Sequence, residues 1–334
     1  MNKLKKVGLS ALAGSLAMMS ASVAEITVGG SGEVTYVSEG GSDSRNGNPF
    51  GVSQTISFTG TGEMDNGFGY KFYTEMAGQD MTADSSYVQF DAGDMGKFGI
   101  DQGVGQYGIG TIALSIPTAY EEADHAVGVL ADGLDVTGDT QVLGYINDFS
   151  GVNVNIEYNP TNGGTSKSQA GGNSAADPLS SGSNINVALK YAVPDMDGLE
   201  LRAGASETSN SDGTIEDDSE FTGAIRYAVG SVSVGYQQSE IKSGTAGAAG
   251  ESVKAYGVAF NVNDSLSVSY AVNKNKQDNT GTAAVDNTEK SEGIMAAYTM
   301  GSASFRVAHN EATDVGGTRG TTDENLEVSL SLSF

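Results

Sequence analysis

The sequence predicts an all-β fold, a transmembrane antiparallel β-barrel of about sixteen strands. Three observations predict it. The stretch Leu326 to Phe334 alternates apolar and polar side chains without a slip and stops on an aromatic. The same two-residue period recurs from Glu25 onward, and the runs are joined alternately by tight turns and by long polar loops.

A period of two puts the apolar side chains on one face of a strand. Left alone, residues 326–334 would be an open apolar edge that invites aggregation. Pairing with residues 26–37 closes that edge. Leu326, Val328, Leu330, Leu332 and Phe334 then face lipid or a neighbouring subunit. Glu327, Ser329, Ser331 and Ser333 face water.

The N-terminus reads as a secretory signal peptide, residues 1–24. Lys3, Lys5 and Lys6 form a basic start, Val7 to Met19 is uncharged and mostly apolar, and Ser22 and Ala24 hold the −3 and −1 positions before Glu25. That apolar run is shorter than the ~20 residues a spanning helix needs. Beyond residue 24 no long apolar run occurs, so a membrane crossing has to use strands closed into a barrel.

The elements follow in order. Ile26, Val28, Val34 and Tyr36 share one parity, and a polar loop follows at 39–48. Val52, Ile56 and Phe58 lead to Met64-Asp65-Asn66-Gly67, where Asn-Gly marks a hairpin. Phe68, Tyr70 and Phe72 form the third run, and Val88 and Phe90 the fourth. A turn at Gly93 to Gly96 leads to Phe98 and Ile100. The rhythm breaks over 102–139. It resumes at Leu143 and Tyr145, turns at 148–151, and continues through Val152, Val154, Ile156 and Tyr158. Past a Gly/Ser/Asn-rich loop (159–183) come Ile185 to Tyr191, a turn at Pro194 to Gly198, and Leu199 to Ala203. An acidic loop (207–220) precedes Phe221, Ile225 and Tyr227, followed at once by Val232, Val234 and Tyr236. Loops at 239–252, 274–291 and 310–323 separate the remaining hairpins. Domain organisation is thus a signal peptide and one barrel, 25–334.

Aromatics fall near strand ends. Phe58, Phe90, Tyr191, Tyr227, Phe260, Tyr298 and Phe334 lie toward the turns; Tyr36, Tyr158, Phe221 and Tyr270 lie toward the loops. Two such belts fit the two interfaces of a membrane. The opposite parity is dominated by Ser, Thr, Asn, Gly and charges. A barrel of this size is too wide for side chains to fill and holds water.

Charge narrows the partners. The formal charge is −25, and losing residues 1–24 removes three lysines and no acid, which takes it to −28. That excludes nucleic acid and favours cations inside any enclosed space. Catalysis finds no constellation: there is no cysteine, and the two histidines, His125 and His309, lie far apart in the chain. No catalytic, cofactor-binding or metal-ligating set is assigned. Gly103-Val104-Gly105-Gln106-Tyr107-Gly108 has the spacing of a dinucleotide loop, but Gly110 and Pro117 deny it the helix that would meet a pyrophosphate. It reads as a flexible lead into a long loop. Asp212, Glu216, Asp217, Asp218 and Glu220 could take divalent cations, yet their spacing fits no calcium loop, and a solvated acidic loop is the favoured reading.

Residues 102–139 carry the functional reading. The segment holds Glu121, Glu122, Asp124, Asp132, Asp135 and Asp139 and no lysine or arginine. Basic residues fall at inward strand positions: Lys71, Lys97, Lys190, Arg202, Arg226 and Arg306. An acidic loop folded into the lumen against a basic wall would set a transverse field at a constriction. The alternative is an outer flap, with the wall bases paired to Glu33, Glu75 and Glu200.

On these residues the chain resembles the general porins of Gram-negative bacteria, most closely the alphaproteobacterial type. The resemblance covers the mature chain and rests on Glu25-Ile26-Thr27-Val28, on Tyr87 to Phe90 followed by Gly96 to Asp101, and on the terminal Phe334. It implies a trimeric outer-membrane channel that passes small hydrophilic solutes passively, with no cofactor. It implies that the loop after the fifth strand, here 102–139, is the eyelet, and that Phe334 is read by the outer-membrane assembly machinery. One departure is that the early strands offer only Lys71 and Lys97 as bases. A substrate-specific channel and a structural or adhesive barrel stand as alternatives; saturable conductance would mark the first, absence of a pore the second.

Overall fold

The computed structural model describes residues 25–42, 47–78, 81–125, 127, 134, 141–160, 182–210, 214–245, 250–278 and 287–334. The expected signal peptide and Asp132, Asp135, Asp139 and Asp212 lie outside them. Strands β1 (Glu25–Gly41), β2 (Phe50–Glu63), β3 (Gly69–Ala77), β4 (Thr82–Asp91) and β5 (Lys97–Gln102) come first. A long connection leads to β6 (Val142–Phe149), β7 (Val152–Asn159), β8 (Asn184–Ala192), β9 (Leu199–Thr208) and β10 (Asp218–Val229). Then follow β11 (Val232–Lys242), β12 (Gly250–Asn261), β13 (Leu266–Asp278), β14 (Asn287–Met300), β15 (Ala303–Thr313) and β16 (Thr322–Ser333).

All neighbours pair antiparallel, and β1 pairs with β16, so the sheet closes into a sixteen-stranded barrel without an edge. Closure satisfies the backbone groups that an edge strand would leave open. Among the described residues no helix is long and apolar enough to cross a membrane.

The two parities separate as the alternation requires. Val34, Tyr36, Val88, Phe90, Ile225, Val258, Phe305, Leu326, Leu330 and Leu332 are exposed on one face. The other face carries buried polar groups such as Asn155, Asn186, Gln237, Asn273, Asn310 and Glu327. The aromatics Phe90, Phe260, Tyr298, Tyr36, Tyr158, Phe221 and Tyr270 all lie exposed on the apolar face.

Two details depart from the expectation. β16 pairs with Ser31–Gly41 rather than with 26–37. Residues 25–30 extend past it and pair with β2 over Thr61 to Ile56. The physical cause is the tilt of strands in a barrel, which staggers each neighbour in register. The strands are also longer than the apolar alternation: β12 starts at Gly250, β13 runs to Asp278, and β14 starts at Asn287, all inside expected loops. Beyond an apolar belt both faces meet water, so pairing continues while the apolar pattern stops.

Candidate functional site

The site is built by the segment between β5 and β6. Its first turn is held by Asp101, buried at the end of β5, whose carboxylate accepts from the amides of Val104 (2.9 Å) and Gln106 (2.6 Å). Gly103, Gly105 and Gly108 all have positive φ, so the glycines shape a turn. A short 3-10 turn follows at Ile109–Ile112. The expected flexible lead is thus a pinned one, because a buried carboxylate caps it.

Tyr107 then enters the wall. It is 1% exposed, and its hydroxyl accepts from Gln89 Nε2 at 3.1 Å. Gly99 on β5 and Gly144 on β6 sit directly opposite each other, and a Cβ on either would overlap the Tyr107 side chain. Two facing glycines therefore make the slot that the ring fills.

From there the segment meets successive strands on their polar face. The amide of Gly108 donates to Asn155 Oδ1 on β7 (2.9 Å), and that of Ile109 to Asn186 Oδ1 on β8 (2.8 Å). Ile109 and Ile112 pack on Ala188, also on β8. The amide of Ser115 donates to Gln237 Oε1 on β11 (2.8 Å), and Gln237 Nε2 donates back to the carbonyl of Ala113 (2.6 Å). The amide of Ala119 donates to Ser269 Oγ on β13 (2.8 Å). Asn310 Nδ2 on β15 donates to the carbonyls of Glu122 (3.0 Å) and His125 (3.1 Å). The buried ones among them, the amides of Gly108, Ile109 and Ser115, would otherwise be orphans costing ~1–3 kcal/mol each. Ile116 and Ala123 add apolar contact with Ala255, Ala271, Met295 and Ala308, and Val127 packs with Ala312 and Val315.

The far end carries the charges. The Tyr120 hydroxyl donates to Glu327 Oε1 on β16 (2.7 Å) and lies 3.3 Å from Glu33 Oε1 on β1. Arg306 pairs with Glu33 and stacks its guanidinium 4.4 Å from the Tyr120 ring centre. His125 sits between two carboxylates: Nε2 is 3.1 Å from Glu327 Oε2 and Nδ1 is 3.6 Å from Glu121 Oε2. The hydrogen bond to Glu327, partly opposed by burial and aided by the charges of Glu121, Glu327 and Asp124, holds the imidazole above its usual pKa. Burial pushes the phenols of Tyr107 and Tyr120 up.

The expected residues divide as follows. Glu121 meets His125, and Asp124 accepts from Asn273 Nδ2 at 2.9 Å. Arg202 pairs with Glu200 and donates to Ser115 Oγ at 3.2 Å. Lys71 lies 5.4 Å from the Tyr87 ring centre, and Lys97 lies 3.5 Å from Asp91 Oδ2. Arg226 stands opposite Glu200, and Lys190 opposite Arg202. Two wall arginines therefore reach the segment through Ser115 and Tyr120, with their charges answered by Glu200 and Glu33. Sequence reasoning missed Tyr107, Tyr120 and the polar row Asn155, Asn186, Gln237 and Asn310. A usable signal existed: large amides repeated at inward positions need hydrogen-bond partners once they are buried.

A profile of the family described as Gram-negative porin matches residues 8–303. A search of curated proteins finds no match. Among solved structures, OmpT, an outer membrane protein of Vibrio cholerae, superposes with a TM-score of 0.63 at 12% identity, covering 93% of this chain and 98% of that one. An anion-selective porin from Comamonas acidovorans gives 0.64 at 15% identity, covering 93% and 100%. Salmonella typhi OmpF in complex with daunomycin gives 0.63 at 14%, covering 92% and 97%. At these identities the likeness is one of fold.

Proposed function

The chain belongs to the Gram-negative porin family, and from that premise we propose that its outer-membrane barrel is a passive channel for small hydrophilic solutes and ions that prefers cations. Residues 102–139 are the constriction loop of this proposal. One observation carries it: a single segment contacts β7, β8, β11, β13, β15 and β16 in turn on their polar face. A segment that follows so many strands round one face of a closed barrel fits a place inside it.

This placement gives the selectivity. Glu121, Glu122 and Asp124 line the loop, and 102–139 contains no lysine or arginine. Arg202 and Arg306 are each engaged by a wall carboxylate. The free passage then lies between the loop and β2–β4, where Lys71 is the basic residue in play. The field there is net negative and raises the local cation concentration. Homotrimeric assembly, the alphaproteobacterial type, a cleaved signal peptide and recognition of Phe334 by the assembly machinery belong to the same reading.

Reversal potential across a planar bilayer under a salt gradient tests it. The expected sign is that of cation preference, and an anion-selective potential or no current overturns it. The triple variant E121Q/E122Q/D124N should reduce the cation-to-anion permeability ratio severalfold, and an unchanged ratio removes this loop from the constriction.

A further inference from the structure

A second cluster lies away from the loop, on the apolar face near the loop ends of the last three strands. Glu292 on β14, Glu311 on β15 and Glu324 on β16 stand directly opposite one another in one cross-strand row. Like charges so placed are destabilising. Glu292 is answered, since the Tyr270 hydroxyl donates to it at 2.6 Å and Lys290 lies 3.1 Å away. Glu311 and Glu324 have no lysine or arginine ion pair among the described residues. What they share is His309, two residues below Glu311 on the same face. Its Nε2 lies 3.2 Å from Glu311 Oε1 and 3.9 Å from Glu324 Oε1. His309 is flanked across the ladder by Ile294 and Leu326, so one side of the cluster is apolar.

We propose that His309, Glu311 and Glu324 form a binding site for a divalent transition-metal ion of the Zn²⁺ or Cu²⁺ kind. One imidazole nitrogen faces both carboxylates, and the strand ladder sets the spacing of the three residues. The three can each bring one ligand atom within 4.8 Å of the others. Metal–ligand bonds of about 2.0 Å in a tetrahedron need donor separations of roughly 3.3 Å, which small side-chain rotations here reach. A bound ion relieves the repulsion of the facing carboxylates. The imidazole selects Zn²⁺ or Cu²⁺ over Ca²⁺ and Mg²⁺, which favour all-oxygen sites. Three protein ligands leave a fourth position open to water or an anion.

The chain has only two histidines, which makes the test clean. Cu²⁺ is titrated into the untagged, full-length barrel in micelles and followed by electron paramagnetic resonance. In H125Q, where His309 is the remaining imidazole, the expected result is one Cu²⁺ with a single-imidazole signature. E311Q and E324Q in that background should each weaken binding at least tenfold, and Zn²⁺, but not equal Ca²⁺, should displace the copper. If H125Q does not fold, the difference between wild type and H309Q carries the same reading. Absence of the single-imidazole signal, or an affinity that E311Q and E324Q leave unchanged, overturns the site.

Discussion

Tyr107 shows how one residue can anchor a loop that sequence periodicity leaves blank. Its ring occupies space that Gly99 and Gly144 leave empty on facing strands. Gly144→Ala should expel the ring or bend the wall and cost about 1–3 kcal/mol, the usual range for overpacking; urea unfolding of the folded barrel reads it, and an unchanged midpoint refutes the slot. His125 offers a pH handle at the same scale. Its imidazolium gains Glu327 on β16 and Glu121 and Asp124 on its own segment, with Arg306 two positions away through Tyr120. A raised folded pKa means that this stabilisation is complete below the ordinary value of 6.5 and fades as pH rises through the raised value. Amide exchange over residues 119–125, corrected for intrinsic rates, should therefore be better protected at the acidic end of that window. His125→Gln should remove the difference, and a difference that persists would assign it to another group.

At the scale of elements, the closing strand is the instructive case. Its alternation was fully legible, and so was its role in sealing the barrel; its register was not. The backbone of Phe334 exchanges both hydrogen bonds with Gly30, at 3.1 and 3.0 Å, so the last residue is part of the closing ladder. Deleting Phe334 should lower the yield of folded barrel in the outer membrane while leaving the conductance of the barrels that form unchanged; normal yields would refute it. The loop after β5 was legible as a long acidic interruption, and Glu121 and Asp124 were picked out by charge. Its anchors were not, because Tyr107 and Tyr120 follow no period, and several of the anchoring contacts join residues more than a hundred positions apart. Ser115 with Gln237 and Tyr120 with Glu327 are such pairs.

At the scale of the whole molecule, composition and closure act together. A chain of formal charge −25 closed into a barrel favours cations in any aqueous space it encloses. Cation preference should therefore weaken as ionic strength rises and the screening length falls to ~3 Å at 1 M salt. Reversal potentials at low and high mean salt check this, and a preference independent of salt would place selectivity in close contacts alone. By itself the sequence determined the strand number, the face each side chain takes, the alternation of turns and loops, and the sign of the charge. Those are local properties: a period of two, a turn dipeptide and a count of ionised groups need no distant partner. Only the tertiary structure decided which wall residues hold the long segment, that Arg306 is the base that meets Glu33, and that Glu324 joins His309 and Glu311. These depend on barrel stagger and on contacts between residues far apart in the chain, and neither is written into any single stretch of it.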